Sequence, residues 1–237
     1  MSATATIPER APARPAAVAS GAAGSALPAG EGRKRLADSC LDWGERLLVL
    51  GFYGWLVARL LGGYWATGGM PSLLLLSSEG LVVFFILVRR RASAVSRRPG
   101  DWLLALAATC SPMLVSAAVG DALVPETVAA AVLLTGMLVQ LHAKLTLGRS
   151  LGCVPAHRGL KRNGPYRFVR HPMYAGYLLS HLAFLLMNPT LWNLGMYALC
   201  YALQVPRLLA EERLLAHDPR YRDYQAAVRY RLIPGVF

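Results

Sequence analysis

Six long apolar stretches are the feature of this sequence that most restricts its fold. They cover residues 46–65, 72–88, 102–120, 124–141, 172–187 and 191–209. Each is close to the roughly 20 residues that a helix needs to cross a bilayer core, although the second and the fifth are short. The pattern therefore predicts an all-α, polytopic membrane protein with about six transmembrane helices.

The composition agrees with a membrane class. Hydrophobic residues make up 55%, charged residues 16% and the mean hydropathy is +0.39, outside the usual range of soluble domains. The excess of Lys and Arg, 25 against 13 acids, lies in short clusters between apolar stretches, so no nucleic-acid partner is expected. The four cysteines are far apart and form no CxxC pair, so no metal site or disulfide framework is predicted.

The distribution of basic residues predicts the orientation. The segment "RKR", the loop "RRRASAVSRRPG", the long fourth loop and the C-terminal tail are basic, whereas "ATGGMP", "GDALVP" and "NPT" contain no Lys or Arg. Because basic loops remain in the cytoplasm, both termini are expected there. Residues 1–35, rich in Ala, Pro and Gly, are predicted to be a disordered cytoplasmic tail, and residues 36–146 to hold the first four helices.

The fourth loop, of about thirty residues, is too long for a simple connector. It ends in "GPYRFVRHPMYAGYLL", where Pro172 suits the first turn of a helix. Arg170 and His171 then precede a helix start, whose free N–H groups and dipole favour an anion, and Arg170 can add a bidentate contact. Alternatively, the two basic residues only anchor the helix at the membrane interface.

Three further residues favour a ligand site at this place. Tyr166 and Tyr174 offer aromatic faces on either side of the predicted helix start. Gly176, one turn into the helix, leaves room for a ligand or for a neighbouring helix.

Two acids, Glu211 and Glu212, follow the last apolar stretch in "QVPRLLAEERLL". The C-terminal end of a helix disfavours acids, so these are either solvated or paired with a nearby arginine, or they bind hydroxyl or ammonium groups of a ligand. If the helix continues past residue 209, only one of them can face a pocket. We expect Glu212 to face it and Glu211 to pair with Arg207 one turn back.

Several polar and ionisable residues lie inside the apolar stretches. Glu79 is mid-stretch, and Arg59 lies at a depth that predicts an ion pair between them. His181, Asn193 and Gln204 are expected to make interhelical hydrogen bonds.

Taken together, "LGRSLG…LKRNGPYRFVRHPMYAGYLL" and "EERLL…YRDYQAAVRYRLIPGVF" resemble the isoprenylcysteine carboxyl methyltransferase and phospholipid methyltransferase superfamily of integral membrane enzymes. The resemblance covers residues 147–237, which would form the methyltransferase core. It implies methyl transfer from S-adenosylmethionine bound at the cytoplasmic face, without a metal. The acceptor would be a lipid or small hydrophobic molecule with a carboxylate, amine or thiol.

The resemblance also implies roles for individual residues. Arg170 and Glu212 would be catalytic, and Arg229 and Arg231 would contact cofactor or acceptor. The cofactor would be bound by Tyr166, Arg170, His171, Pro172, Tyr174, Gly176, Glu211 and Glu212. The alternative function is a non-catalytic membrane transporter or lipid-binding protein, whose basic loops bind anionic headgroups.

Overall fold

The computed structural model describes residues 29–67, 70–116 and 122–237. Within these ranges the α-helices are α1 (Ala29–Thr67), α2 (Met70–Leu87), α3 (Pro99–Cys110), α4 (Glu126–Leu147), α5 (Pro172–Met187), α6 (Leu191–Leu215) and α7 (Pro219–Ala227). Two short strands, β1 (Ala94–Val95) and β2 (Ala156–His157), form an antiparallel pair between two loops. The prediction of an all-α protein is confirmed.

The third apolar stretch does not form the single helix predicted over residues 102–120. Helix α3 ends at Cys110 and a 3₁₀ turn covers Ser111–Leu114, while residues 117–121 lie outside the described part. Pro112 has no amide hydrogen to continue the α-helical ladder. The Ser111 hydroxyl instead donates to the Ala108 carbonyl at 3.3 Å, the group that residue 112 would otherwise reach.

The predicted N-terminal tail lies almost wholly outside the described residues. Residues 1–28 are not described, and α1 begins at Ala29, within the segment that was expected to be a tail. The first apolar stretch is therefore the C-terminal part of a longer helix.

The described helices differ in whether their length and hydropathy suffice to cross a membrane. Among the described residues, one helical segment, Glu126–Ser150, is both long and apolar enough to cross a bilayer by length and composition, and Pro172–Met187 is a shorter apolar helix. Large apolar side chains are nevertheless exposed, for example Leu191 at 88% and Leu103 at 68%. Large apolar side chains exposed on several helices indicate an apolar medium or partner around the protein.

Helices α4 and α5 make the most extensive helix–helix contact in the described part of the chain, at a pair of glycines. A Cβ atom on Gly176 would lie 2.8 Å from the Gly136 carbonyl oxygen and 2.8 Å from the Gln140 amide nitrogen. The backbones approach this closely only because neither glycine carries a side chain. Helices α5 and α6, in contrast, make little direct contact, which leaves space between them.

A buried ionic cluster fixes the loop between α4 and α5 to the start of the bundle. Arg89 is 3.0 Å from Asp42 and 3.2 Å from Glu45, and Arg158 contacts the same two acids. Glu45 Oε1 also accepts the amide of Cys153 at 2.7 Å. Because buried charges must be paired, this cluster holds the loop in one position.

Candidate functional site

Two cavities lie on either side of the start of α5. The inner cavity, of about 400 Å³, is mostly apolar and is bordered by α1 to α6. The outer cavity, of about 80 Å³, lies between the long loop, the start of α5, the end of α6 and α7. Met173 lines both, so the first turn of α5 forms part of the wall between them.

Most of the residues that the sequence predicted for a site surround the outer cavity. Tyr166, Arg170, His171, Tyr174 and Glu211 line it. The other lining residues are Leu147, Ser150, Ala156, Arg158, Gly159, Leu160, Lys161, Met173, Leu215, Tyr221 and Tyr224. The structure thus brings together side chains from the long loop and from four helices, α4, α5, α6 and α7.

Three of the predicted residues do not line this cavity. Pro172 is the first residue of α5, as its conformation requires. Gly176 packs against α4, so the helix contact and not a ligand occupies the space beside it. Glu212 is buried behind the cavity wall, at 5% exposure.

Glu212 joins three segments through ion pairs. Its Oε1 is 2.7 Å from Arg170 Nε and 3.2 Å from His171 Nε2, and its Oε2 is 2.9 Å from Arg231 Nε. Burial by itself would raise the pKa of Glu212, but the hydrogen bonds from His171 and Arg231 and the charge of Arg170 lower that pKa from 4.5 to about 2. Glu212, which lies beyond the apolar stretch of α6, is therefore ionised at neutral pH.

The C-terminal tail closes the start of α5. The amide of Arg170 donates to the Tyr230 carbonyl and that of His171 to the Arg231 carbonyl, both at 2.9 Å. Arg170 Nη1 also donates to the Val228 carbonyl at 3.2 Å. The anion site predicted before α5 is thus partly filled, because tail carbonyls and Glu212 engage the groups that were expected to be free. Arg229 is exposed.

Glu211 differs from Glu212 in having no ion pair. In the part of the chain that the structure describes, no cationic nitrogen lies within 4.0 Å of its carboxylate. The predicted pair with Arg207 is wrong, since Arg207 is buried and donates to the Cys153 carbonyl at 2.9 Å. Glu211 therefore offers a free acceptor at the cavity wall, and Lys161 is a cation on the same wall.

Tyrosine hydroxyls complete the outer cavity. Tyr224 donates to the Tyr166 carbonyl at 2.7 Å, and burial raises the pKa of Tyr224 to about 12. Burial also raises the pKa of Tyr166 well above its ordinary value. Both hydroxyls remain neutral donors at physiological pH.

The inner cavity has two cationic side chains, Lys144 and Arg207, in its mostly apolar wall. Lys144 Nζ is 3.1 Å from Glu79 Oε1 and donates to Ser78 Oγ at 2.8 Å. The prediction that Glu79 pairs with Arg59 is wrong, because Arg59 lies over the Trp55 ring at 5.7 Å. The second cationic side chain in this wall is Arg207.

Hydrogen bonds among the remaining polar residues are mainly structural. His181 Nδ1 and Tyr201 Oη are 2.9 Å apart, which confirms an interhelical bond between α5 and α6. Asn193 instead ties the start of α6 to the loop after α3, since its Nδ2 donates to the Ser116 carbonyl at 2.9 Å. Gln204 accepts from Arg207, one turn along the same helix, at 3.3 Å.

Several residues of the two cavities were not predicted from the sequence, among them Met173, Lys161 and Arg207. A signal for Arg207 existed, because it lies three residues after Gln204 and so shares a face of α6 with it. Lys161 and Met173 carry no comparable pattern, since their positions depend on how the long loop returns to α5.

Comparisons with known proteins agree with the family resemblance. Residues 124–218 match the phospholipid methyltransferase family, whose members are S-adenosylmethionine-dependent methyltransferases. The match includes α4 and ends before the C-terminal tail. No curated protein is significantly similar to the sequence. A solved structure of the eukaryotic intramembrane Ras methyltransferase, isoprenylcysteine carboxyl methyltransferase, aligns with a TM-score of 0.46 and 17% identity, over 76% of this chain and 68% of that chain.

Proposed function

We propose that this protein is a membrane-embedded methyltransferase that binds S-adenosylmethionine in the outer cavity, and the match of residues 124–218 to the phospholipid methyltransferase family supports this. The methyl acceptor, a lipid or small membrane-partitioning molecule, occupies the inner cavity. The observation that carries this proposal is the wall at Met173, which a cavity lined by several charged side chains shares with a mostly apolar cavity. A reaction between a polar cofactor and an apolar acceptor requires such adjacent compartments.

The residues of the outer cavity fit the proposed cofactor chemically. When bound, S-adenosylmethionine supplies a methyl group attached to a positively charged sulfur. Glu211 can accept hydrogen bonds from hydroxyl or ammonium groups, and Lys161 can bind a carboxylate. The volume of about 80 Å³ is below the roughly 300 Å³ of small ligand pockets, so the walls must separate when a nucleoside binds.

Arg170 and His171 act in this proposal mainly by positioning. Their side chains line the cavity, but both are also engaged with Glu212, which is held by Arg231. Glu212 therefore connects the start of α5, the end of α6 and the tail. A site assembled from three segments needs such a link, because small displacements of aligned groups slow a reaction strongly.

The chain contributes alignment and exclusion of water more than acid–base chemistry. Displacement at a methyl carbon needs the nucleophile, carbon and leaving group in line, and the half-buried Met173 and the buried Tyr174 lie in the first turn of α5, where the two compartments meet. A carboxylate or thiolate acceptor has no proton to lose. An amine would have to be deprotonated first.

The proposal includes a membrane location with the outer cavity facing the cytoplasm. It is supported by the exposed apolar side chains and by the basic residues of the loops that surround this cavity.

Binding of radiolabelled S-adenosylmethionine to the purified full chain tests the proposed function. The parent should bind saturably, and Glu211→Gln should bind about tenfold more weakly, the factor that about 1.4 kcal/mol produces. Arg213→Gln is the matched control, because Arg213 is an exposed residue next to the pair of glutamates. A parent that binds no cofactor would overturn the proposal and favour the non-catalytic lipid-binding protein, whose ligand the inner cavity could hold.

A further inference from the structure

Arg207 is a buried cation in the wall of the inner cavity. It is 7% exposed, and its guanidinium donates to the Cys153 carbonyl at 2.9 Å and to Thr109 Oγ1 and Gln204 Oε1, each at 3.3 Å. All three acceptors are uncharged. Its Nε is buried and has no hydrogen-bond partner.

Among the described residues, no acid lies within ion-pair distance of this charge. In residues 29–67, 70–116 and 122–237, none of the ion pairs includes Arg207. The other buried cation of the cavity, Lys144, is paired with Glu79 and is thus already compensated. The wall of the inner cavity therefore carries one positive charge that has no ion pair among the described residues, and a buried charge without a partner is costly unless a ligand supplies the counter-charge.

Arg207 also lies near the wall that separates the two cavities. Its guanidinium is 5.6 Å from the centre of the Tyr174 ring, and Tyr174 lines the outer cavity. A group bound to Arg207 is consequently placed close to the first turn of α5.

From these observations we propose that Arg207 is the anion subsite of the inner cavity, and that the acceptor is an amphiphile with a carboxylate or similar oxyanion at its head. That the bound molecule is the methyl acceptor rests on the proposed function. The anion subsite itself rests on the structure alone. The apolar wall receives the tail of the molecule, and the guanidinium receives its anionic head. A cationic amine acceptor is disfavoured here, because the Arg207 guanidinium, which has no ion-pair partner among the described residues, would repel it.

Cys153 provides a reporter of this charge that needs no enzymatic activity. Its sulfur is 3.7 Å from Arg207 Nη2 and it lines the inner cavity. Cys110 is exposed and is the matched reference, because its labelling reports the electrostatic field of the protein as a whole. Two chains, each retaining one of these cysteines, are labelled with anionic sulfonatoethyl and cationic trimethylammonioethyl methanethiosulfonate.

For each cysteine, the labelling rate with the anionic reagent is divided by the rate with the cationic reagent. This ratio should be about tenfold higher at Cys153 than at Cys110, which corresponds to about 1.4 kcal/mol of attraction. Arg207→Gln should lower the ratio at Cys153 to that of Cys110, and Arg207→Lys should preserve it. Equal ratios at the two cysteines of the unsubstituted chain would overturn the anion subsite, whether or not the Arg207 variants fold.

The acceptor class is tested with three probes of equal chain length: decanoate, decanol and decylamine. Decanoate should slow labelling of Cys153 about tenfold more than either other probe, and Arg207→Gln should abolish the difference. Equal protection by all three would refute the anionic acceptor. Cofactor binding is measured on the same preparations, so that a parent that binds cofactor but shows no charge preference refutes only this inference. A parent that shows the preference without cofactor binding refutes only the methyltransferase.

Discussion

Two adjacent glutamates in α6 have opposite environments. Glu212 is surrounded by Arg170, His171 and Arg231, whereas Glu211 has no ion pair among the described residues and faces the outer cavity. Neighbours in a helix point about 100° apart, so one faces the tail and the start of α5 while the other faces the cavity. The geometry thus favours a direct cofactor contact for Glu211 and a positioning role for Glu212, the reverse of the order predicted from the sequence.

The two roles separate when stability and binding are measured on the same variants. Glu212→Gln should destabilise the protein by about 3 kcal/mol, because it leaves two arginines partly buried without their acid. Glu211→Gln should leave the thermal midpoint unchanged and lower cofactor affinity. Thermal unfolding in detergent and cofactor titration check both. A normal midpoint with lost affinity in Glu212→Gln would restore the original assignment.

The pKa of Glu212 gives a second expectation at this scale. Because this pKa is depressed in the folded protein, Glu212 stabilises the fold fully above its unfolded value of 4.5. The contribution is lost as the pH falls from 4.5 to about 2. The midpoint of the parent should therefore fall in this range more steeply than that of Glu212→Gln, and parallel curves would show that the ion pairs contribute nothing.

At the scale of elements, the contact between α4 and α5 determines where the two cavities lie. Gly176→Ala should destabilise the protein by about 2 kcal/mol, since the new Cβ would lie 2.8 Å from the backbone of α4. Gly195→Ala in α6 is the control, because a Cβ there meets no atom within 4 Å. Thermal unfolding of both variants measures the difference. If Gly176→Ala were stable but lost the cofactor, Gly176 would be a ligand contact, as the family resemblance implied.

Sequence patterns predicted those parts of the fold that depend on local chemistry. Helix α5 begins at Pro172 as expected, and α6 continues past Leu209 to Leu215 with Pro206 inside it. The break at Pro112 had a local signal that the apolar pattern concealed. The pairing of Glu79 with Lys144 and the tail over His171 had none, because each joins segments far apart in the chain and depends on helix rotation.

For the molecule as a whole, the question is which medium covers the apolar surface. Leu191, Trp65 and Leu103 are each more than two-thirds exposed, and they come from three different helices. A water-soluble monomer usually exposes large apolar side chains only singly, whereas here several helices expose them. A bilayer accounts for it most simply, and the proposed orientation, in which basic loops stay in the cytoplasm, puts the outer cavity on the cytoplasmic side.

This orientation predicts which positions an impermeant thiol reagent can reach in intact cells. In a background without the four native cysteines, Ala94→Cys and Ala226→Cys lie on exposed parts of the basic side, and Ala122→Cys is exposed in a loop without Lys or Arg. Only Ala122→Cys should be labelled in intact cells, because the basic loops are retained on the cytoplasmic side. All three should react after permeabilisation, which controls for exposure. Labelling of Ala226→Cys from outside would place the outer cavity on the wrong side of the membrane for a cytoplasmic cofactor, while the anion subsite at Arg207 would be unaffected.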